Sequence, residues 1–199
     1  MTDVKFFNRW DAENISVSDR GLIRYITLQP KIVPKTGARY SGNRFHKSYV
    51  FIVERLASKI MITGHKSKKH FMSSGHNCGK KIKALNIVES AFAKIELKLK
   101  KNPLLVFLKA VENAAPREEV ISIEYGGARY PKAVDVAPQR RIDLALRNMT
   151  QGAYVRSFNK KLKIDDALAD EIIQASLCSG KSQSVSRKRD VERQAASSK

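Results

Sequence analysis

Through most of the chain, apolar positions recur every three or four residues, the period of a helix with one buried face. Ser18 is placed to cap a short amphipathic segment carrying Leu22, Ile23 and Ile26, which Pro30 and Pro34 end. PKTGARYSGNRFHKS follows as a loop with Gly37 and Gly42. Helix resumes at about Tyr49, with Phe51, Val53, Leu56, Ile60 and Met61 apolar, and stops at Gly64, a residue suited to a left-handed cap. HKSKKHFMSSGHNCG is polar and aperiodic, and reads as an inserted loop. A long helix starts at about Lys80, with Ile82, Leu85, Val88, Phe92, Ile95 and Leu99 on its stripe. Asn102-Pro103 supplies a cap and a first-turn proline to the next helix. That helix carries Leu104, Phe107, Leu108 and Val111, and is apolar nearly all round, as a central helix is.

One stretch breaks the helical period. ISIEYGGARYPKAVDVAPQRRIDLAL alternates apolar and polar residues on both sides of Gly126-Gly127, a pair fitted to a turn whose two central residues need positive φ. Pro131 is tolerated in a two-stranded ribbon because both strands are edges. Pro138 opens the next helix, with Ile142, Leu146 and Met149 on one side, and a last helix runs over about 164–177 to Gly180. KSQSVSRKRDVERQAASSK then reads as a basic tail, mobile unless bound. An isolated ribbon is marginal in water. Two readings follow: an arm projecting from a helical body, or a hairpin folded down so that Ile121, Ile123, Val134 and Val136 cover the core. Arg140 and Arg141 favour the arm, because cations oppose the dipole at a helix start unless an external anion compensates.

Length and composition bound the rest. The 199 residues suffice for one domain with a sizeable core. The expected division is an amino-terminal extension with a short helix (1–30), a helical domain (31–180) with its hairpin at 119–137, and a basic tail (181–199). Thirty-eight Lys and Arg face nineteen Asp and Glu, a net charge of +19 that calls for a polyanion. The excess is concentrated. Residues 31–88 hold thirteen basic residues against Glu54 alone, a net of +12. An ordinary solvated surface interleaves the two signs. Two cysteines a hundred residues apart make no disulfide framework, which points to a reducing compartment. MTDVKFFNRWDAEN lacks a secretory pattern, and no apolar run approaches the ~20 residues that cross a bilayer. A soluble intracellular protein without membrane contact is expected.

Three features of the sequence invite sharper chemistry. His65, His70, His76 and Cys78 invite a zinc reading, but their gaps of five, six and two lack the spacing of a ligand set, and no metal or other cofactor is expected. Glu118-Glu119 and Asp165-Asp166 are sequential pairs, no glycine-rich phosphate loop or nucleophile elbow occurs, and Cys178 reads as a small buried residue, so neither catalysis nor a small-molecule substrate is expected. A helix-turn-helix DNA reader with residues 143–148 in the major groove is the alternative, but that module concentrates its charge on one recognition helix. Here the charge is spread over a loop, a helix start, an insert and a tail.

The ordered strings PKTGARYSGNRFHK, IVERLASKIM, GKKIKALNIVESAF, NPLLVFLKAVENAAPRE, YGGARY, AVDVAPQRRIDLALR and LADEIIQAS resemble the universal small-subunit ribosomal protein seven family. ENAAPREE and TGARYSGNRF resemble its archaeal and eukaryotic branch, and SVSDRGLIRYI looks more eukaryotic, like eukaryotic small-subunit protein five. The likeness spans residues 10–193. It implies a mainly α fold: a bundle of about six helices with a projecting two-stranded β-hairpin and flexible basic termini.

It further implies a structural constituent of the small subunit of the cytoplasmic ribosome. Such a protein binds the ribosomal RNA of the head early and nucleates its folding, among neighbouring small-subunit proteins. Its rRNA-facing positions would be Lys35, Arg39, Arg44 and Lys47 in the loop, Lys80, Lys81 and Lys83 at the long helix, and Arg140, Arg141 and Arg147 past the hairpin. The tip (Tyr125, Gly126, Gly127, Arg129, Tyr130 and Lys132) and the carboxy-terminal Arg187, Lys188 and Arg189 would lie near exit-site transfer RNA and messenger RNA. Residue chemistry agrees: arginines beside glycines fork onto phosphates. Tyr40 and Phe45 either stack on unpaired bases or pack the loop against the body. Two departures from the family pattern stand out: residues 64–79 exceed its short turn, and Glu124 makes the tip less basic.

Overall fold

A computed structural model describes residues 4–12, 15–29, 31–37, 39, 41–66, 69–70, 75 and 77–199. Among these, six helices run in chain order: α1 Ile52–Ile60, α2 Lys81–Leu99, α3 Pro103–Ala114, α4 Pro138–Ser157, α5 Ile164–Ser176 and α6 Gln183–Ala196. Two 3-10 turns, Ile23–Tyr25 and His46–Tyr49, precede α1. The strands form two antiparallel pairs, β1 His65–Lys66 with β2 Lys69–His70, and β3 Glu118–Tyr125 with β4 Ala128–Asp135. The architecture is the helical bundle with one long ribbon that the sequence implies.

The helices form where the period places them. In α2 the stripe Leu85, Val88, Phe92 and Ile95 is buried, while Ile82 lies outside it at 64% exposure. The Asn102 side chain accepts the Leu104 N–H at 3.0 Å, and Pro103 sits where its missing N–H leaves nothing unpaired. As its composition indicates, α3 is buried nearly all round; α5 shares the centre, packing on α2, α3 and α4. Ala167, Ala169 and Ala175 permit that close approach.

The amino-terminal segment joins the same core. Phe6 and Trp10 are buried, with the Phe6 ring 5.1 Å from Phe51 and 6.0 Å from Phe92. Each such fully buried aromatic contributes about 2 kcal/mol of transfer free energy.

Several expectations change. Ser18 caps nothing; its N–H donates to Glu112 at 2.6 Å, and the helical turn is confined to Ile23–Tyr25. Pro30, assigned to end that segment, lies outside the described residues. The segment after Gly64 is not wholly loop, since it opens with the β1–β2 pair. Cys178 is exposed rather than buried, because it occupies the left-handed position (φ +53°) that ends α5 and turns it outward. The segment from Lys181, read as a mobile tail, forms α6, with Val185 and Ala195 buried. Its apolar residues are too few for periodicity to announce a helix, but its cap is plain: the Ser182 hydroxyl accepts the Val185 N–H.

The long ribbon projects. Every residue from 121 to 132 is exposed, Ile121 at 40% and Ile123 at 42%. Only its base is covered, where Val136 is buried and α6 packs alongside. Gly126 and Gly127 both have positive φ (+58° and +81°), the geometry that pairs Tyr125 with Ala128 across the turn. The folded-down arrangement is thereby replaced by the arm.

Candidate nucleic-acid interface

The loop before α1 exposes its cations. Lys35, Arg39, Arg44 and Lys47 are all exposed, and Gly37 takes φ +63° in open space. Phe45, in a left-handed conformation at φ +57°, holds its ring 61% exposed under the Arg44 guanidinium, 5.1 Å from the ring centroid. That ring does not pack the loop onto the body, so it is available to a base. Tyr40 lies outside the described residues.

The start of α2 has no side-chain cap and no acid in its first turn. Lys80 and Lys83 are exposed there, on an end whose free N–H groups attract anions. Lys81 is engaged instead: its Nζ donates to Ser58 Oγ at 2.7 Å and lies 3.3 Å from Glu54 Oε1. Glu54, the one acid in the basic stretch, is spent inside the fold and also accepts the Thr36 N–H and hydroxyl.

The start of α4 corrects the expectation of an external anion. Arg140 Nε donates to both Glu119 oxygens, at 2.7 and 2.9 Å, and Arg141 donates to Asp19 at 2.8 Å and to the Pro116 carbonyl at 3.1 Å. The dipole conflict is resolved within the protein, by carboxylates contributed from the hairpin base and the amino-terminal segment. The Arg140 side chain remains 57% exposed; that of Arg141 is only 11% exposed and faces inward. Neighbouring in sequence, the two arginines differ in role because helix geometry separates successive residues by about 100°.

Between α1 and α4 the structure assembles a cluster that sequence reading missed. Asp143 is ringed by Lys47 Nζ at 2.9 Å, Arg55 Nη2 at 3.3 Å and Lys59 Nζ at 3.8 Å. Burial pushes the Asp143 carboxyl up, but the Lys47 hydrogen bond and the charges of Lys59 and Arg55 outweigh it and hold the group below the usual carboxylate range. Burial pushes Lys59 down; Asp143 opposes this, while Lys47, Arg55 and Arg147 add to it. The signal was present in the sequence: Arg55 and Lys59 are four apart on one face of α1.

A concavity of about 510 Å³ opens beside this cluster, where five cations (Lys35, Lys47, Arg55, Lys59 and Lys81) face two carboxylates, Glu54 and Asp143. It brings together loop, α1 and α2 positions that were expected separately. Arg147, exposed on α4, lies close enough to depress Lys59 further.

The hairpin tip stands apart from these. Tyr125 is 81% and Tyr130 58% exposed, Arg129 lies 3.7 Å from Glu124, and Lys132 is exposed. On α6, Arg187 is exposed, whereas Lys188 donates to the Asn113 carbonyl at 3.0 Å and Arg189 to the Cys178 carbonyl at 3.1 Å. The segment a DNA-reading helix would need has Ala145 and Leu146 fully buried and Asp143 committed to the cluster.

No group of three or more metal-ligating side chains occurs among the described residues, of which His76 is not one. No helix among them is long and apolar enough to cross a membrane. Cys78 is exposed, and neither cysteine is bonded to the other.

Comparison with known proteins follows the same direction. Residues 22–199 match the family model described as ribosomal protein S7p/S5e. The chain is 50% identical over 196 residues to the small ribosomal subunit protein uS7 of Nanoarchaeum equitans (strain Kin4-M), covering 98% of this chain and 99% of that protein. It is 46% identical over 193 residues to the uS7 protein of Archaeoglobus fulgidus, covering 97% and 94%.

Proposed function

The chain belongs to the ribosomal protein S7p/S5e family, and from that premise we propose that it binds the ribosomal RNA of the small-subunit head directly and nucleates the folding of that domain. It is a structural constituent of the small subunit of the cytoplasmic ribosome, beside ribosomal RNA and neighbouring ribosomal proteins, and not an enzyme. The observation that supports direct RNA binding is the concavity between the 31–51 loop, α1 and α2. Its five cations outnumber its carboxylates, so positive charge is left that the protein does not neutralise. Phosphates supply the missing charge, and Arg39, Arg44, Lys80, Lys83, Arg140 and Arg147 extend the same sign over exposed surface.

The arm carries the second half of the proposal. Its exposed tip, Tyr125 to Lys132, reaches toward exit-site transfer RNA, with Arg187 of α6 on the side of the departing messenger RNA. A ribbon clear of the body gains its order from what surrounds it.

Competition binding at matched salt tests the reading. A structured head-domain transcript should displace duplex DNA from the full chain, with affinity falling steeply as salt rises. Preference for duplex DNA would overturn it.

A further inference from the structure

The concavity is more than a positive surface. Its wall includes Val50, Met61 and Ile62, and Ile62 is 50% exposed. A groove meant for a phosphate backbone alone has no use for aliphatic lining, because phosphates are best held by donors and by water. An apolar wall beside cations is the chemistry of a whole nucleotide: the base against carbon, the phosphate on charge.

The charge is arranged to match. Lys47 and Lys59 stand at Asp143, and Lys81 at Glu54, so each carboxylate has a cation beside it. The volume, about 510 Å³, lies within the range of pockets that take small organic ligands.

We propose that this cavity, between the 31–51 loop and α1, receives a single unpaired nucleotide of the bound RNA. Its base rests on Val50, Met61 and Ile62, and its phosphate on Lys47 and Lys59. The inference rests on the RNA-binding reading above and adds a specificity element to it. Helical RNA supplies no free base, so the cavity selects a bulge, loop or junction rather than a duplex.

The test separates base from phosphate. Ser41, exposed at the rim, is replaced in Ser41→Trp to fill the cavity, and Ile62→Ser removes apolar wall. Each is compared with Lys47→Met in the full chain, binding a head-domain transcript across a salt series. Filling the cavity or removing the wall should lower affinity about tenfold with the salt slope unchanged, as loss of one stacked base does. Lys47→Met should lower both affinity and slope, by about 0.7 to 0.9 in the logarithmic slope. Thermal midpoints check that each variant folds; should Ser41→Trp not fold, Ile62→Ser carries the test alone. Wild-type affinity in the cavity variants, with the transcript still bound, would overturn the nucleotide site and leave RNA binding standing. Failure of the unaltered chain to bind the transcript would overturn both.

Discussion

Arg141 Nη2 lies 2.8 Å from Asp19 Oδ2, a pairing across 122 residues that joins the amino-terminal segment to the start of α4. The same guanidinium donates from Nε to the Pro116 carbonyl, at the point where α3 ends and the hairpin begins. One side chain thus ties together three segments that converge at the base of the arm. Gly21 is part of the arrangement, since a Cβ there would stand 3.2 Å from Asp19 Oδ1 and 3.5 Å from Arg141 Nη1.

The adjacent arginines should therefore respond oppositely to substitution. Arg141→Ala leaves Asp19 without its cation and the Pro116 carbonyl without its donor, and should lower stability by about 2 kcal/mol. Arg140→Ala removes a half-exposed ion pair and should change stability by at most about 1 kcal/mol while weakening RNA binding. Urea unfolding of the two variants, alongside transcript binding, distinguishes them. Equal stability losses would contradict the division of roles.

How much of this was legible beforehand depends on the range of the interaction. The helices of α2 and α3, the Asn102 cap and the Gly126-Gly127 turn were written in local pattern, and each is where the period or the cap places it. The fate of Arg141 was not, because its partner is Asp19 and nothing near position 141 names it. The Asp143 cluster was hidden for the same reason: Lys47, Arg55, Lys59 and Asp143 come from three separate stretches. The helix α6 escaped because its burial rests on Val185 and Ala195 and on buried serines, not on an apolar stripe.

The Asp143 cluster sets an acid limit on the fold. Folding holds its carboxyl below the unfolded value of about 3.9, so its stabilisation is fully present above that pH and is lost as pH falls through the lower, folded pKa. Asp19 and Asp165 are shifted the same way: burial pushes each up, and hydrogen bonds, from Arg141 and Lys94 respectively, outweigh it. Asp143→Asn should cost about 2 kcal/mol at pH 7, leaving Arg55 and Lys59 uncompensated, and should make stability less steep below about pH 4. Denaturant midpoints measured from pH 7 to pH 2 test this. An acid limb as steep as in the unaltered protein would show that Asp143 does not contribute to it.

The arm should be separable from the body. Gly126 and Gly127 have open space where a Cβ would stand, so Gly126→Ala with Gly127→Ala acts through the backbone alone, at about 1 kcal/mol or more per residue. Because residues 121–132 are exposed, that loss is local. Amide exchange in β3 and β4 should accelerate about tenfold while the thermal midpoint moves by no more than about 1 °C. A fall of several degrees would show that the body depends on the ribbon. Deleting residues 124–129 should likewise spare transcript binding and alter exit-site transfer RNA contacts; loss of incorporation into subunits would contradict it.

A buried carboxylate holds the start of α6. Glu171, with no exposed surface, accepts from Ser182 Oγ at 2.7 Å, Ser184 N at 3.0 Å and Ser184 Oγ at 3.1 Å, and lies 3.2 Å from Arg156 Nη2. A buried carboxylate is stable only with such a set of donors, so the α6 start and Glu171 depend on each other. Gly152 makes room for them: a Cβ there would come 3.0 Å from Gln183 Cβ and 3.3 Å from Glu171 Cδ. Glu171→Ala should cost about 3 kcal/mol, because Arg156 loses its counter-charge and both hydroxyls lose an acceptor, and Ser182→Ala about 1 kcal/mol through the cap. In both variants trypsin should cut faster after Lys181. The effect should also reach the hairpin, since α6 supplies Glu192 to the Arg117 N–H at 2.9 Å and is followed by Lys199, paired with Glu118 at 2.8 Å. Amide exchange at the base of β3 should therefore rise together with cleavage. Cleavage that accelerates while β3 stays protected would mean that the arm is oriented by Arg140 and Arg141 alone, without α6.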